Sequence, residues 1–301
     1  MSLAAALSTA MSGLAVAQHG LSVTAANVTN ANTEGYTRKL AHQEAVIVDG
    51  RGAGAQATDT TRVVDDYLGA RIMEQAGRLG RSEVLSNLHA RIEEQLFGAP
   101  GDADRGLGNR ISQLAAAAET LAGAPGKAAL ATSFLGAAQD LVAEIARAGD
   151  EVQSLRRELD QEIGRTVGAA NGEILALHQL NGEIARGGGS PDLLDRRDTL
   201  LASLAGRIEI SVADEGNGTV AIYTRGGQPL LEGTPRQLVY EPAATVGPDT
   251  TFGAIRLHRS ADVDPATGRP SAGVTGAELV SGGVRAEATP ELLADGVADA
   301  R

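Results

Sequence analysis

The chain has 301 residues, enough for two domains, and its 26 lysines and arginines against 38 aspartates and glutamates leave a formal net charge of −12. An acidic chain lacks the basic face that neutralises nucleic-acid phosphates, and the absence of cysteine excludes disulfides, thiolate metal sites and cysteine nucleophiles. Aromatic residues make up only 2% of the chain, which disfavours an enzyme pocket and suits helices packed through leucine and alanine.

The first segment carries no charged residue before Glu34. Apolar and small residues recur there in alternating steps of three and four, which predicts one stripe of a helix. The stripe consists of Leu3, Leu7, Ala10, Leu14, Ala17, Leu21, Thr24, Val28 and Ala31. A lone helix of this kind has little to hold it folded in water, so the pattern favours a coiled-coil strand that needs partners. The alternative is an ordinary helix buried in a core.

Polar residues interrupt this segment every few positions, which disfavours a membrane span. The first basic residue is Arg38, and a cleaved signal peptide needs a basic residue near its start. We therefore expect neither membrane insertion nor a standard signal peptide.

Turn-forming residues at 29–37, TNANTEGYT, predict the end of this helix. Short β-rich stretches are predicted up to Val48, followed by a flexible glycine-rich loop at 50–54. Helical periodicity then returns, and the longest helix would measure about 90 Å if unbroken. The last helix is predicted to be capped by Ser190 and to end with Gly206 as its C′ residue. The predicted helices cover residues 64–97, 107–122, 126–186 and 191–205.

The pattern changes after residue 206 to short β-rich stretches at 207–213, 219–224, 237–241 and 252–258. The intervening DEGNG at 214–218 indicates a hairpin. We therefore expect a mainly α chain with a β-rich second part: an elongated helical bundle with an N-terminal coiled-coil-type helix, followed by an antiparallel β-rich domain. The predicted domains are a terminal assembly helix over 1–33, the bundle over 34–206 and a β-rich outer domain over 207–301.

Candidate chemical sites are weak throughout the chain. Three acidic residues at 192, 195 and 198 could form a ligand face, but we expect them to complement the helix start and to pair with Arg196 and Arg197. The stretch Asp262–Gly268 lacks the residues of a phosphoryl-transfer motif or a calcium loop. The five histidines are scattered, one per element: His19, His42, His89, His178 and His258. We predict no catalytic residue, no cofactor and no metal site.

The segment AANVTNANTEGYTRK at 25–39 resembles the signature that closes the N-terminal helix of bacterial flagellar rod, hook and hook-associated proteins. Ala26 and Thr29 depart from the usual asparagine and alanine of that signature. The matching positions include Asn27, Asn30, Asn32, Gly35 and Tyr36.

Further segments narrow the resemblance to the hook-associated protein 1 family, the hook–filament junction proteins. The resemblance covers about residues 1–235. It rests on RVVDDYL at 62–68, ETLAGAP at 119–125, LHQLNGEIA at 177–185, LLDRRDTLLASLAG at 193–206 and GGQPLLEG at 226–233.

The resemblance implies a non-enzymatic structural subunit that is secreted through the flagellar type III export apparatus, with an export chaperone. Such subunits lie outside the cell and assemble into a ring between the hook protein and a second junction protein. The assembly interface would be Leu3, Leu7, Leu14, Leu21 and Val28, and the turn motif would be Asn27, Asn30, Asn32, Gly35 and Tyr36.

The family ends in a second heptad helix that mates with the first, whereas residues 289–301 read TPELLADGVADAR. This indicates either a fragment or a truncated gene. Two alternatives to a junction protein remain at this point: another flagellar axial protein of the hook or rod, and a cytoplasmic coiled-coil adaptor. The adaptor would need charged positions flanking the stripe, which the first helix lacks.

Overall fold

The computed structural model describes residues 3–48, 50–97, 106–259 and 277–278. The chain forms two compact units, each built from two separated stretches of sequence. The first unit combines Met1–Gly77 with Ala170–Gln237, and the second combines Arg78–Ala169 with Leu238–Arg301. The predicted division into 1–33, 34–206 and 207–301 stays a prediction. The Asp262–Gly268 stretch and the terminal residues 289–301 lie outside the described residues.

Five helices carry most of the described chain, as the apolar periodicity predicts. Helix α4 is continuous over 60 residues, which confirms the long helix expected after Pro125. A later strand-rich region accompanies the helices, so the mainly α fold class with a β-rich second part is confirmed. The helices are α1 (Leu3–Thr29), α2 (Asp66–Phe97), α3 (Leu107–Gly123), α4 (Ala128–Gly187) and α5 (Pro191–Arg207).

The predicted end of α5 is wrong by two residues. Gly206 lies inside the helix, which continues to Arg207, and Ile208 follows in an extended conformation. Ile208 is fully buried, and Arg207 forms an ion pair with Glu173, so tertiary contacts hold the last turn. Ser190 does precede Pro191 at the helix start, but within the described residues its hydroxyl makes no capping hydrogen bond.

The glycine-rich segment at 50–54 is a strand from Arg51 onward, and the prediction of a flexible loop is wrong. Strands β1 (Lys39–Val48) and β2 (Arg51–Arg62) pair in an antiparallel hairpin in which Lys39 lies opposite Arg62. The reason is close packing on α1: a Cβ on Gly54 would lie 2.2 Å from Ser12 Oγ, and the φ of Gly54 is +130°. Glycine is therefore needed there for proximity, within a strand.

A run of antiparallel strands, each paired with the next along the chain, belongs to the first unit up to Gln237 in β6. They are β3 (Ile210–Gly216), β4 (Thr219–Thr224), β5 (Pro229–Glu232) and β6 (Thr234–Val239). The predicted hairpin at 214–218 is confirmed, with Asn217 at a φ of +53°. The short strand β5 was not predicted. The side-chain amide of Asn181 on α4 bonds both backbone groups of Val220, which anchors β4 to the helix.

The second unit packs α2 against α4 through Leu88, Ile92, Leu155 and Leu159. The segment that follows β6 lies on α4, where Arg156 donates to the carbonyls of Gly247 and Thr250 and Asp160 accepts from Tyr240 and Ala243. Strand β7 (Arg256–Arg259) pairs with β8 (Ala277–Glu278) in antiparallel fashion.

Candidate assembly site

Helix α1 exposes the whole predicted apolar stripe. Within α1, all of which the structure describes, no side chain is buried, so the alternative of an ordinary core helix does not hold. The five residues predicted as an interface are 60–88% exposed: Leu3, Leu7, Leu14, Leu21 and Val28. We call these five residues, with Met11 (63% exposed), the α1 apolar face. Apolar surface of this size on an uncharged helix is typical of an association surface.

The opposite side of α1 contacts the β1–β2 hairpin. Because a helix turns 100° per residue, positions such as Ser12 and His19 lie about 160° around the axis from Leu14 and Leu21 respectively. Ser12 Oγ accepts a hydrogen bond from the backbone N–H of Ala55 (3.2 Å), and His19 Nε2 lies 3.2 Å from Thr60 Oγ1. The hairpin therefore supports one side of the helix and leaves the α1 apolar face free.

Asn27 joins the end of α1 to the start of β1. Its amide Nδ2 donates to the carbonyl of Lys39, and its Oδ1 accepts from the backbone N–H of Lys39, each at 2.9 Å. The same Oδ1 accepts from the hydroxyl of Tyr36 at 2.9 Å. The Lys39 Nζ lies 4.4 Å from the centre of the Tyr36 ring, within range of a cation–π contact. These contacts bring Asn27 and Tyr36 of the predicted turn motif together.

The other three residues of the motif differ in what they contact. Asn30 bonds the carbonyl of Ala26 and accepts from the Thr33 hydroxyl, which ends the helix. Gly35 has a φ of +77°, and a Cβ there would lie 2.2 Å from Thr199 Oγ1 on α5. Asn32 is exposed, and in the part of the chain that the structure describes its side chain takes no part in the network. The motif is thus a turn that closes against α5.

The three acidic residues of α5 meet the hairpin, which the sequence analysis did not predict. Asp195 accepts from Thr37 Oγ1 (2.5 Å) and Arg62 Nη1 (2.9 Å), and its Oδ2 lies 3.4 Å from Lys39 Nζ. Asp192 pairs with Lys39, and Asp198 pairs with Arg62 (2.7 Å). We call these six residues the α5 joint.

The expected pairing of these aspartates with Arg196 and Arg197 is correct only for Asp198 and Arg197 (2.7 Å). The partners of Asp192 and Asp195 lie more than 130 residues away in sequence. Local spacing along α5 therefore could not indicate them. A signal did exist, since the TRK of 37–39 and the DRRD of 195–198 both belong to the segments that carry the family resemblance.

Burial and hydrogen bonding shift the pKa values of Asp195 and Lys39 in opposite directions. Burial alone would raise the pKa of Asp195, but hydrogen bonds from Thr37 and Arg62 outweigh it and hold that pKa below its ordinary value. Burial would likewise lower the pKa of Lys39, but its pairing with Asp192 holds that pKa above its ordinary value. Both groups therefore stay charged in the folded joint across the neutral pH range.

The described residues offer little else that resembles a ligand site. Across the ranges 3–48, 50–97, 106–259 and 277–278, no three histidines, aspartates or glutamates come together as a metal site would require. Among the described helices, none combines the length and apolar character needed to cross a membrane.

Comparison with known proteins identifies the family. Residues 94–282, more than half of the chain, match the model of the flagellar hook-associated protein FlgK helical domain. Residues 7–37, which comprise most of α1 and the turn, match the model of the flagella basal body rod protein. The second match agrees with a terminal segment that different flagellar axial proteins share.

Individual relatives are named flagellar hook-associated protein 1. The chain is 26% identical over 260 residues to flagellar hook-associated protein 1 of Salmonella typhimurium, covering 82% of this chain and 46% of the relative. It is 25% identical to the Bacillus subtilis protein of that name, covering 75% of this chain and 47% of the relative. The chain thus spans about half the length of these relatives.

A solved structure of the flagellar hook junction protein FlgK from Burkholderia pseudomallei resembles the fold, with a TM-score of 0.50 and 19% identity. The match covers 68% of this chain and 36% of that one. The family model, which spans α3 to β8, confirms the resemblance read from the sequence: the chain belongs to the flagellar hook-associated protein FlgK family.

Proposed function

We propose that the chain is a non-enzymatic structural subunit of the bacterial flagellum that joins the hook to the filament and permits filament assembly. The observation that carries this proposal is the α1 apolar face, which is supported from behind by the hairpin and open to solvent in front. Membership of the FlgK family supplies the context, since relatives of this family are named as hook-associated proteins.

The assembly mechanism follows from the composition of α1. The helix contains no Asp, Glu, Lys or Arg, so an unfolded segment could thread a narrow export channel without moving charge through it. Once outside the cell, burial of the apolar face by neighbouring subunits would stabilise it by about 25 cal/mol for each Å² removed from water. We propose a ring of subunits that contacts the hook protein on one side and a second junction protein on the other, after delivery by an export chaperone.

A charged substitution in the α1 apolar face tests this role. Leu14→Glu places a carboxylate on a side chain that is 60% exposed, so the monomer should keep its far-UV circular dichroism and its melting temperature. It should nevertheless fail to restore filaments in a strain that lacks the gene. Val142→Glu is the matched control, because Val142 is an apolar residue of α4 with 67% exposure. Filament growth with Leu14→Glu, or loss of growth with both variants, would contradict the proposed interface.

A second candidate is another axial subunit of the rod or hook, favoured by the match of residues 7–37 to the rod protein model. Deletion of the gene distinguishes the two. Intact hooks without filaments, with flagellin released into the medium, would support the junction role. Cells that lack hooks would support a rod or hook role, and cells with normal filaments would contradict both.

A further inference from the structure

Helix α1 and the hairpin form a sub-assembly that meets the rest of the first unit at α5. We call residues 3–62 the arm. In the part of the arm that the structure describes, 3–48 and 50–62, contact with α5 is made by Gly35, which closely approaches Thr199, and by the α5 joint. Asp195 is central in the joint, because it is the acidic residue that both Thr37 and Arg62 bond.

Three charged side chains of the joint are largely removed from water. The side chains of Lys39 and Arg62 are only 7% and 8% exposed, and that of Asp195 is 10% exposed. Asp192 and Asp198 are more open, at 84% and 40%. Asp195 is therefore the carboxylate at the inner end of the joint, and the other two lie towards its rim.

Buried ion pairs contribute little net stability compared with apolar side chains of the same volume, because desolvation opposes the attraction. What they do supply is a defined relative orientation of the two elements they join, since each hydrogen bond restricts both distance and angle. Asp195 uses both carboxylate oxygens. Oδ1 accepts from Thr37 and Arg62, and Oδ2 faces the backbone N–H of Thr37 and the Nζ of Lys39, both at 3.4 Å.

These donors come from both strands at the open end of the hairpin. Lys39 begins β1, Thr37 lies two residues before it, and Arg62 ends β2 opposite Lys39. A carboxylate that binds both strands at their base restricts rotation of the hairpin about α5. Since the hairpin carries α1 through Asn27 and Ser12, the same carboxylate restricts α1.

We propose that Asp195 is the positioning residue of the arm: by holding Thr37, Lys39 and Arg62 at once, it sets the direction in which the arm, and with it the α1 apolar face, leaves α5. This role concerns the orientation of the arm in the subunit itself. Its consequence for assembly rests on the proposed function, whereas the orientation does not.

Distance measurement by electron paramagnetic resonance tests the proposal in the full chain. The chain has no cysteine, so Ser8→Cys on α1 and Arg196→Cys on α5 give one pair of exposed labelling sites. Ser8 lies about 28 Å along α1 from Asn27 at 1.5 Å per residue, so a small rotation at the joint displaces it strongly. The labelled parent should give one narrow distance distribution.

Asp195→Asn should broaden this distribution and shift its mean, because the neutral amide no longer attracts Lys39 and Arg62. Thr37→Val should shift it in the same direction while leaving the carboxylate in place. Asp140→Asn on the exposed surface of α4 removes the same charge and should leave the distribution unchanged. Circular dichroism verifies that each variant is folded. If Asp195→Asn does not fold, Thr37→Val and Arg62→Gln decide the result.

An unchanged distribution in Asp195→Asn or in Thr37→Val overturns the proposal, as does a change in Asp140→Asn. The outcome is separable from that of the proposed function. If Leu14→Glu blocks filaments while Asp195→Asn leaves the distances unchanged, the α1 apolar face stands and the positioning role falls. If the distances change while Leu14→Glu still assembles, the positioning role stands and the assembly interface falls.

Discussion

Gly35 is the residue at which the turn after α1 is most sensitive to a single methyl group. In Gly35→Ala, a φ of +77° would force a residue with a Cβ into the left-handed region, which costs about 1–2 kcal/mol. The new Cβ would also lie 2.2 Å from Thr199 Oγ1. Thr199 is exposed and can rotate away, but its hydroxyl then loses the hydrogen bond to the Asp195 carbonyl (2.9 Å), worth about 0.5–1.5 kcal/mol.

The two effects together destabilise the turn by about 2–3 kcal/mol, which raises the equilibrium constant for local opening roughly 30- to 150-fold. Amide hydrogen exchange measured by mass spectrometry on peptides covering residues 25–39 reports this opening directly. Gly13→Ala is the control, because Gly13 lies within α1 and, of the described atoms, none would lie within 4 Å of its Cβ. That variant should slow exchange, since alanine stabilises a helix by about 0.5–1 kcal/mol over glycine.

Combining Gly35→Ala with Thr199→Ala separates the two contributions. The double variant keeps the backbone strain and loses the same hydrogen bond, so it should exchange about as fast as Gly35→Ala, whereas Thr199→Ala alone loses only the hydrogen bond and should exchange more slowly than either. The reasoning is refuted if Gly35→Ala exchanges at the parent rate. It is also refuted if Thr199→Ala accelerates exchange in the Gly35→Ala background as much as it does in the parent, because Gly35→Ala would then not have displaced the Thr199 hydroxyl.

The other predictions concern the joint and the second unit. The pKa of Asp195 is lower in the folded chain than in the unfolded one. Its contribution to stability is therefore present above its ordinary pKa and is lost as pH falls through the folded value. Asp195→Asn should flatten the acid limb of a plot of melting temperature against pH. Leu155→Ala truncates a side chain that is 2% exposed and should lower the free energy of unfolding by about 2–5 kcal/mol in urea titrations, whereas Val142→Ala at the surface should change it by less than about 0.5 kcal/mol. Burial and the hydrogen bond to Asp160 raise the pKa of Tyr240, so Tyr240→Phe should remove the most alkaline step from a spectrophotometric tyrosine titration; loss of an earlier step instead would contradict the burial of this hydroxyl.

The helices were predictable from the sequence because their apolar residues repeat with the helical period over many turns. Helix α4 shows this best: Leu155, Ile163 and Ile174 are all buried, and each belongs to the stripe that the sequence displays. The apolar face of α1 was predictable for the same reason, since its apolar and small residues repeat at helical spacing. A helix of this kind has little to hold it folded alone, which favoured a strand that needs partners.

The hairpin and the joint were not predictable, for two physical reasons. Glycine has a weak strand preference, and the close approach that requires Gly54, its contact with Ser12 on α1, cannot be read from the sequence. The partners of Asp195 belong to elements far away in sequence, whereas spacing along a helix indicates only neighbours three or four residues away. The end of α5 was missed because burial of Ile208 outweighs the tendency of Gly206 to end a helix.

The sequence separation within the joint has a consequence for how the chain folds as it is made. Thr37 and Asp195 are 158 residues apart, so synthesis at 5–20 residues per second leaves the arm without its partner for roughly 8–30 s. Contacts of such high sequence separation form late, because loop closure must precede them. During that interval α1 and the hairpin lack their contacts with α5, and completion of α5 is the event that ends it.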